Sequence, residues 1–229
     1  MALLGEIALV AAGGTPSRKV NEFWGGEIPW VTTAEIDFNV VSSTTESITT
    51  LGLKHSAAKL LQPGTLLMAL YGQGKTRGKV AVLGITATTN QACASISVSN
   101  AVSRRFVFHY LASQYVAIRG LSNSGSQENL SGQLVRSIKV PLAPSKKEQE
   151  AIAEALSDAD ALIESLEQLL AKKRQIKQSA MQELLTGQRR LPGFSGEWPE
   201  KPIGELFSVS GGLSASRERQ STNFCTRLA

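Results

Sequence analysis

Residues 145–187 read SKKEQEAIAEALSDADALIESLEQLLAKKRQIKQSAMQELLTG, with no proline and no glycine before the final residue. Ser145 and Glu148 have the spacing of a capping box, in which each side chain binds a backbone N–H at the start of a helix. Acidic residues dominate the first half and basic residues the second, which complements the helix dipole. The pattern predicts one helix over 145–187, of which 146–186 would span about 61 Å at 1.5 Å per residue.

The apolar residues of this helix recur at alternating spacings of four and three, which is typical of a coiled-coil seam. A helix lying flat on one small domain would explain a single apolar stripe, but it would not explain this length or a second, shifted stripe. The acidic first half and basic second half favour an antiparallel partner, because reversing one helix brings opposite charges together. The residues predicted to form this contact, and so a homodimer, are Ile152, Leu156, Ile163, Leu166, Leu169, Leu170 and Ile176.

Before the helix, residues 1–144 have the texture of a mixed α and β domain, so the fold class is α+β. Short β-branched and apolar runs are separated by Gly, Pro, Ser and Asn, which is typical of strands. One stretch, Arg104 to Gly120, keeps helical spacing and ends on glycine, and its aromatic residues are interpreted as core. The predicted strands are Leu66 to Tyr71, Val80 to Ile85, Ala94 to Val98 and Ser137 to Leu142.

After the helix, residues 188–229 contain a connector and then a partial repeat of the beginning of the chain. Leu4-Gly5-Glu6-Ile7 is followed by Gly13-Gly14, and Ile203-Gly204-Glu205-Leu206 is followed by Gly211-Gly212. We expect a second copy of the first domain to start near residue 203 and to stay incomplete. The remaining tail has no apolar periodicity, so we do not expect it to fold alone.

The net charge of the 229 residues is +5, but the positive charge is concentrated in one stretch. No Asp or Glu occurs from Ser47 to Gln127. Such a stretch fits either a polyanion-binding surface or a solvated basic face, and charge alone leaves both open. The basic residues within it are Lys54, Lys59, Lys75, Arg77, Lys79, Arg104, Arg105 and Arg119.

Other functional classes find little support in the sequence. Cys93 and Cys225 have no CxxC partner, which argues against a disulfide framework or a zinc site and favours a reducing, cytoplasmic compartment. No apolar run reaches the roughly 18 residues of a membrane span. Gly74-Lys75-Thr76 resembles the end of a phosphate loop, but Ala69 stands where the first glycine is required. We therefore expect a non-catalytic protein with no cofactor and no metal.

Several short motifs follow one another in a characteristic order. They are Gly13 to Ser17, Trp24 to Val31, Pro63 to Leu67, Thr88 to Gln91, Gly125 to Ser131, Val140 to Pro144, Glu148-Gln149, Ile152-Ala153, Lys172 to Arg174, Leu184 to Gly187 and Arg190 to Phe194. Together they resemble a target-recognition domain, the spacer helix that follows it and the helix exit in the DNA specificity subunits of type I restriction-modification systems. The resemblance covers about residues 3 to 212.

A full-length member of that family has two recognition domains, each followed by a long helix, and the two helices pair antiparallel. This chain resembles one half, a half-length or truncated form, with residues 1–144 as the recognition domain. The resemblance implies that the chain binds double-stranded DNA, that methyltransferase (modification) subunits dock on it, and that the restriction subunit joins indirectly. Methylation and cleavage would belong to those subunits. A homodimer would read a split palindromic target, and the alternative is a coiled-coil scaffold or adaptor without DNA affinity.

Loops that mix basic residues with Asn and Gln are the best candidates for DNA contact, because they can bind phosphates and base edges. Alternation along a strand edge would place Lys75, Arg77 and Lys79 on one face. For Gly13, Gly14 and Asn90 the alternative role is turn geometry, which we favour for the glycines. The predicted DNA-binding residues are Ser17, Arg18, Lys19, Gln73, Lys75, Thr76, Arg77, Lys79, Asn90 and Gln91.

Overall fold

A computed structural model of the chain describes residues 1–72, 75–121 and 129–208. The chain divides into two compact units, Met1–Ser165 and Leu166–Ala229. The described strands are β1 (Ala2–Leu3), β2 (Ala8–Ala12), β3 (Trp24–Val31), β4 (Val40–Val41), β5 (Glu46–Ile48), β6 (Leu66–Ala69), β7 (Val80–Leu83), β8 (Thr88–Thr89), β9 (Cys93–Val98) and β10 (Lys139–Val140). The described α-helices are α1 (Leu4–Ile7), α2 (Thr50–Lys54), α3 (Arg104–Ser113), α4 (Tyr115–Gly120), α5 (Gly132–Arg136), α6 (Lys146–Leu185) and α7 (Ile203–Leu206).

The first unit is built on a five-stranded sheet in the order β2-β9-β6-β7-β4. All neighbours are antiparallel except β4 and β7. Leu66 and Met68 of β6 belong to one apolar cluster, which also includes residues of α1, α3, α4 and α5. Leu67 and Ala69 belong to a second cluster, with Val31 of β3. A strand buried on both faces reads as a continuous apolar run, and this is why β6 was predictable from the sequence.

The α+β class and a long helix after the sheet domain are confirmed. The four predicted strands are present, three of them in shorter form and β9 one residue longer, from Cys93. The single helix expected from Arg104 to Gly120 is wrong, because the chain turns at Gln114 (φ −91°, ψ 10°) and divides it into α3 and α4. The sheet of β5, β3 and β8 was not predicted. Strand β3 contains Gly25, Gly26 and Pro29, which normally interrupt strands, and its register shifts between Trp24 and Ile28.

Helix α6 begins directly after Ser145, whose side-chain oxygen accepts the Glu148 N–H at 3.2 Å. Only Gln149 and Ala153 are buried along the helix. The Gln149 side chain accepts the Ser103 N–H (2.9 Å) and donates to the Ala143 carbonyl (3.0 Å), so both of its polar atoms are satisfied inside the first unit. The beginning of the helix is thus fixed to the domain that precedes it, and the first unit extends to Ser165.

The repeat seen in the sequence also has a structural counterpart, since Leu4–Ile7 and Ile203–Leu206 each form a single helical turn. Leu4 is fully buried in the core of the first unit. The corresponding Ile203 is 67% exposed. The second copy therefore forms the same local structure without the apolar contacts that cover the first.

A loop between β3 and β5 is fixed by the carboxylate of Glu35. It accepts hydrogen bonds from the backbone N–H of Thr32 (2.8 Å), from the Thr32 hydroxyl (2.5 Å) and from the Thr45 N–H (3.2 Å). Partial burial is the largest single influence and acts to raise the pKa of Glu35, but the hydrogen bonds from Thr32 and Thr45 together outweigh it. The pKa of Glu35 therefore lies below its ordinary value of 4.5, and the charged form holds the loop.

We expect the stabilising effect of Glu35 to depend on pH. Because folding lowers its pKa, its contribution is fully present above the unfolded pKa and is lost as pH falls through the folded pKa. Urea unfolding of wild type and Glu35→Gln should differ most near about pH 7 and converge near about pH 3. Glu27→Gln, at an exposed position of β3, is the control. An advantage of wild type that is equal at both pH values would contradict this role of the carboxylate.

Candidate nucleic-acid interface

Three of the segments nominated from the sequence emerge at the same end of the five-stranded sheet. Strand β2 ends at Ala12, which lies opposite Ala94, and β6 ends at Ala69, which lies opposite Cys93, the first residue of β9. The Leu70 N–H donates to the Ala92 carbonyl at 2.8 Å, which holds the segments after β6 and before β9 together. We call residues 13–20, 75–79 and 90–92, with residues 37–39 before β4, the loop end of the sheet.

Residues 13–20 are packed tightly against the turn that leads into β9. The Gly13 N–H donates to the Cys93 carbonyl (3.2 Å), and the Gly14 N–H donates to the Thr89 carbonyl (2.8 Å). A Cβ atom on Gly13 would lie 2.2 Å from the Asn90 and Thr89 carbonyl oxygens. No side chain fits at that distance, so the structure supports the turn-geometry role of this glycine. The Thr15 hydroxyl also contacts the side-chain oxygen of Gln91.

Arg18 is held by two kinds of contact. Its guanidinium carbon lies 3.7 Å from the centre of the Trp24 ring and 5.0 Å from that of Trp30. Its Nη1 and Nη2 atoms donate to the two carboxylate oxygens of Glu46, the second at 2.8 Å. The hydrogen bond to Glu46 raises the pKa of Arg18, and the same bond lowers the pKa of Glu46. Arg18 is thus oriented and partly neutralised within the protein.

The two residues beside Arg18 are exposed, and Lys19 makes no ion pair with any described residue. The loop that carries them is anchored from below, since the indole N–H of Trp24 donates to the Ser17 carbonyl (3.1 Å) and that of Trp30 donates to the Gly14 carbonyl (2.9 Å). A rigid loop can present the exposed Ser17 and Lys19 to a ligand without first becoming ordered.

The expectation that Lys75, Arg77 and Lys79 alternate along a strand edge is wrong. Residues 75–78 form a turn, and Arg77 is only 5% exposed, with its guanidinium donating to the Arg119 carbonyl at 3.4 Å. Lys79 forms an ion pair with Asp37. Lys75 remains exposed, and its carbonyl accepts a hydrogen bond from the Tyr115 hydroxyl. The turn is required because Gly78 has a positive φ of 85°, which breaks the extended backbone.

The remaining nominated residues have mixed environments. Asn90 caps its own turn, because its side-chain oxygen accepts the Ala92 N–H at 3.0 Å and its N–H donates to the Val31 carbonyl at 2.9 Å. Gln91 is exposed beside it, and Thr76 is partly exposed. Gln73 lies outside the described residues. Four of the nominated residues are therefore exposed at the loop end and form no ion pair with a described residue: Ser17, Lys19, Lys75 and Gln91.

The acid-free stretch of the sequence does not fold into one basic surface. Strand β9 runs away from the loop end, so Arg104 and Arg105, which follow it, lie toward the opposite end of the sheet. There they line a cleft of about 670 Å³ together with Lys146, Glu150 and Glu154. Two acidic residues from outside the stretch reduce the positive charge of the loop end: Asp37 pairs with Lys79, and Glu46 pairs with Arg18. Reasoning from the linear sequence missed both acidic residues because it carried no signal of which loops meet.

Other chemistry finds no site in the described part of the chain. Within residues 1–72, 75–121 and 129–208, no group of three or more His, Cys, Asp or Glu residues is placed to hold a metal ion. Burial, and to a lesser extent the charge of Glu35, raises the pKa of the Cys93 thiol to about 12, so this sulfur is not a nucleophile at neutral pH. No helix among these residues is long and apolar enough to cross a membrane.

Known proteins resemble this chain in sequence and in fold. The chain is 29% identical over 165 residues to the MjaIX specificity subunit of a type I restriction enzyme from Methanocaldococcus jannaschii, which covers 70% of this chain and 37% of that protein. It is 28% identical over 181 residues to the EcoR124I/EcoR124II specificity subunit from Escherichia coli, and this match covers 76% of this chain and 44% of that protein. The chain thus spans about two fifths of the length of these relatives.

Solved structures show the same fold at lower identity. A type I restriction-modification assembly contains a chain that matches with a TM-score of 0.61 at 16% identity, over 80% of this chain and 44% of that one. The HsdS subunit from Thermoanaerobacter tengcongensis matches with a TM-score of 0.58 at 15% identity, over 80% and 43%. The sequence model of the type I restriction modification DNA specificity domain matches residues 2–177. The chain therefore belongs to the family of type I restriction-modification DNA specificity domains, as the motifs of its sequence predicted.

Proposed function

We propose that this chain is the sequence-reading component of a type I restriction-modification complex and that its loop end binds one half of a DNA target. The observation that carries this proposal is the convergence of residues 13–20, 75–79 and 90–92 at one end of the sheet. Exposed lysines supply attraction to phosphates, and exposed Ser and Gln side chains can hydrogen-bond base edges. Membership of the specificity-domain family favours DNA over other polyanions.

Arg18 and Lys79, the two residues of the loop end that form ion pairs with carboxylates, have a positioning role in this proposal. Arg18 lies between the Trp24 ring and Glu46, so it fixes the loop on which Ser17 and Lys19 stand. Lys79 is fixed by Asp37 in the same way. Because the loops are ordered before DNA arrives, the binding free energy does not have to offset the loss of entropy that ordering them would cost. Methylation and cleavage would then be carried out by modification and restriction subunits that assemble with this chain.

A salt titration of DNA binding tests the proposal. Each phosphate contact that is lost lowers the salt slope by about 0.9, so Lys19→Ala with Lys75→Ala should reduce the slope by about 1.8 and weaken binding to a mixed-sequence duplex pool. The control is Arg105→Ala with Lys139→Ala, which removes the same charge from exposed positions away from the loop end.

Equal losses in the two double variants would move the interface away from the loop end. A wild-type chain that shows no salt-dependent binding to DNA would favour the alternative function, a coiled-coil scaffold or adaptor without DNA affinity.

We also propose that two copies associate through α6 and together read a split palindromic target. The seven apolar side chains predicted for this contact, Ile152 to Ile176, are each between 39% and 55% exposed. Full burial of such a side chain contributes about 1.5 to 3 kcal/mol relative to full exposure, so half-exposed residues would contribute roughly half of that each. The acidic residues up to Glu167 and the basic residues from Lys172 to Lys177 favour the antiparallel arrangement. A twofold dimer presents two identical recognition domains to two half-sites.

Sedimentation of the full chain at tens of micromolar tests this association. Leu166→Glu with Leu170→Glu places two charges in the apolar stripe and should convert dimers to monomers, while circular dichroism shows that the domain stays folded. Gln175→Glu with Gln182→Glu is the matched control, because helical geometry puts both residues on the side opposite the stripe. A wild-type chain that sediments as a monomer would reject the homodimer.

A further inference from the structure

Phe38, at the loop end, has an unusual backbone conformation. Its φ is +54°, and no other non-glycine residue among those described has a positive φ. The left-handed region is unfavourable for a bulky side chain, because the Cβ atom approaches the following carbonyl oxygen. Asn, Asp and Gly occupy this region far more readily, so the phenylalanine is not present to make the turn easier to form.

The surrounding structure holds Phe38 in this conformation through three hydrogen bonds. The Phe38 N–H donates to the Val80 carbonyl at 2.8 Å. The side chain of Asn39 accepts the Asp37 N–H (3.0 Å) and donates to the Glu35 carbonyl (3.2 Å). A strained residue persists only where its neighbours determine its position in this way, and such residues concentrate at functional sites.

The strain does not serve to bury the ring, since Phe38 is 38% exposed. One edge contact supports it, because the rings of Phe38 and Tyr115 lie 5.3 Å apart at an interplanar angle of 90°. The Lys79 ammonium lies 5.9 Å from the centre of the Phe38 ring and is paired with Asp37. The result is an exposed aromatic ring, fixed in direction, next to a cation and beside the loops described above.

We propose that Phe38 makes an apolar contact with the bases of bound DNA and so contributes to affinity and specificity. Aromatic side chains can stack on an exposed base, press against a thymine methyl group or wedge into a base step, whereas phosphates offer them nothing. The ring would therefore add a contact that differs in kind from those of Lys19 and Lys75. This inference rests on the proposed DNA-binding function of the loop end.

The test replaces Phe38 by Asn, which is tolerated at positive φ and removes the ring. We expect Phe38→Asn to melt no lower than wild type. Two DNA samples are compared, a mixed duplex pool and the duplexes that wild type selects from that pool. Phe38→Asn should bind both at least about fivefold more weakly than wild type does, which is the lower limit for loss of an aromatic contact with a base. The salt slope should not change, because no phosphate contact is lost. The control is Leu3→Asn. Leu3 is an apolar residue of matching exposure (39%), and it lies before the first residue of β2, at the end of that strand opposite to the loop end.

Wild-type affinity and selectivity in Phe38→Asn would overturn the inference. If Phe38→Asn and Phe38→Gly both melt well below wild type, the ring serves packing against Tyr115 and the inference is also overturned. Failure of the proposed function looks different, because wild type itself would then show no salt-dependent binding in the same titration.

Discussion

Strand β9 is the shared partner of β2 and β6, and this pairing places residues far apart in the sequence at one end of the sheet. Ala12 and Ala69 lie opposite consecutive residues of β9, so the loops that follow β2 and β6 emerge side by side. Gly13 then allows the first loop to approach the backbone of Thr89 and Asn90 more closely than any side chain would permit, and Gly14 allows the same approach to the backbone of Ala57 and Ala58. The proposed DNA surface depends on this register, because a shift by one residue would turn every side chain to the other face.

At the loop end, two basic residues are paired with carboxylates, and the basic residues do not form one continuous positive patch. Glu46 compensates Arg18 and Asp37 compensates Lys79, while Lys19 and Lys75 are exposed. Fixed pairs of this kind add little to the stability of an exposed surface. They do restrict side-chain rotamers, and a surface with restricted rotamers loses less entropy when a ligand binds. The loop end also contains Phe38, so polar and apolar groups are both held in place before DNA is present.

The sequence predicted the elements that have a strong local signal. The long helix was recognised from its cap, its lack of glycine and its charge order, and β6 from a run of apolar residues. It could not predict the turn at Gln114, where the Tyr110 carbonyl accepts both the Gln114 N–H and the Ser113 hydroxyl. Nor could it predict strand β3, whose glycines and proline suggest a loop. Nor could it predict that Gln149, an ordinary polar residue of a helix, is buried and holds Ser103.

For the candidate site, residue type was informative but spatial arrangement was not. Ser17, Lys19, Lys75 and Gln91 are accessible at one end of the sheet, whereas Arg77 is buried and the alternation that nominated it is absent. The partners Glu46, Asp37 and Tyr115 come from other elements, and only the tertiary fold shows that they contact the nominated loops. The left-handed backbone of Phe38 likewise has no signal in the sequence.

The most direct test of the central claim, that the loop end is the surface that meets DNA, is hydrogen–deuterium exchange of the full chain with and without duplex DNA. The account predicts slower exchange of backbone amides in residues 13–20, 37–39, 75–79 and 90–92 when DNA is added, with little change at the start of α3 and in β10. Protection confined to the start of α3 and to β10, at the other end of the sheet, would contradict it.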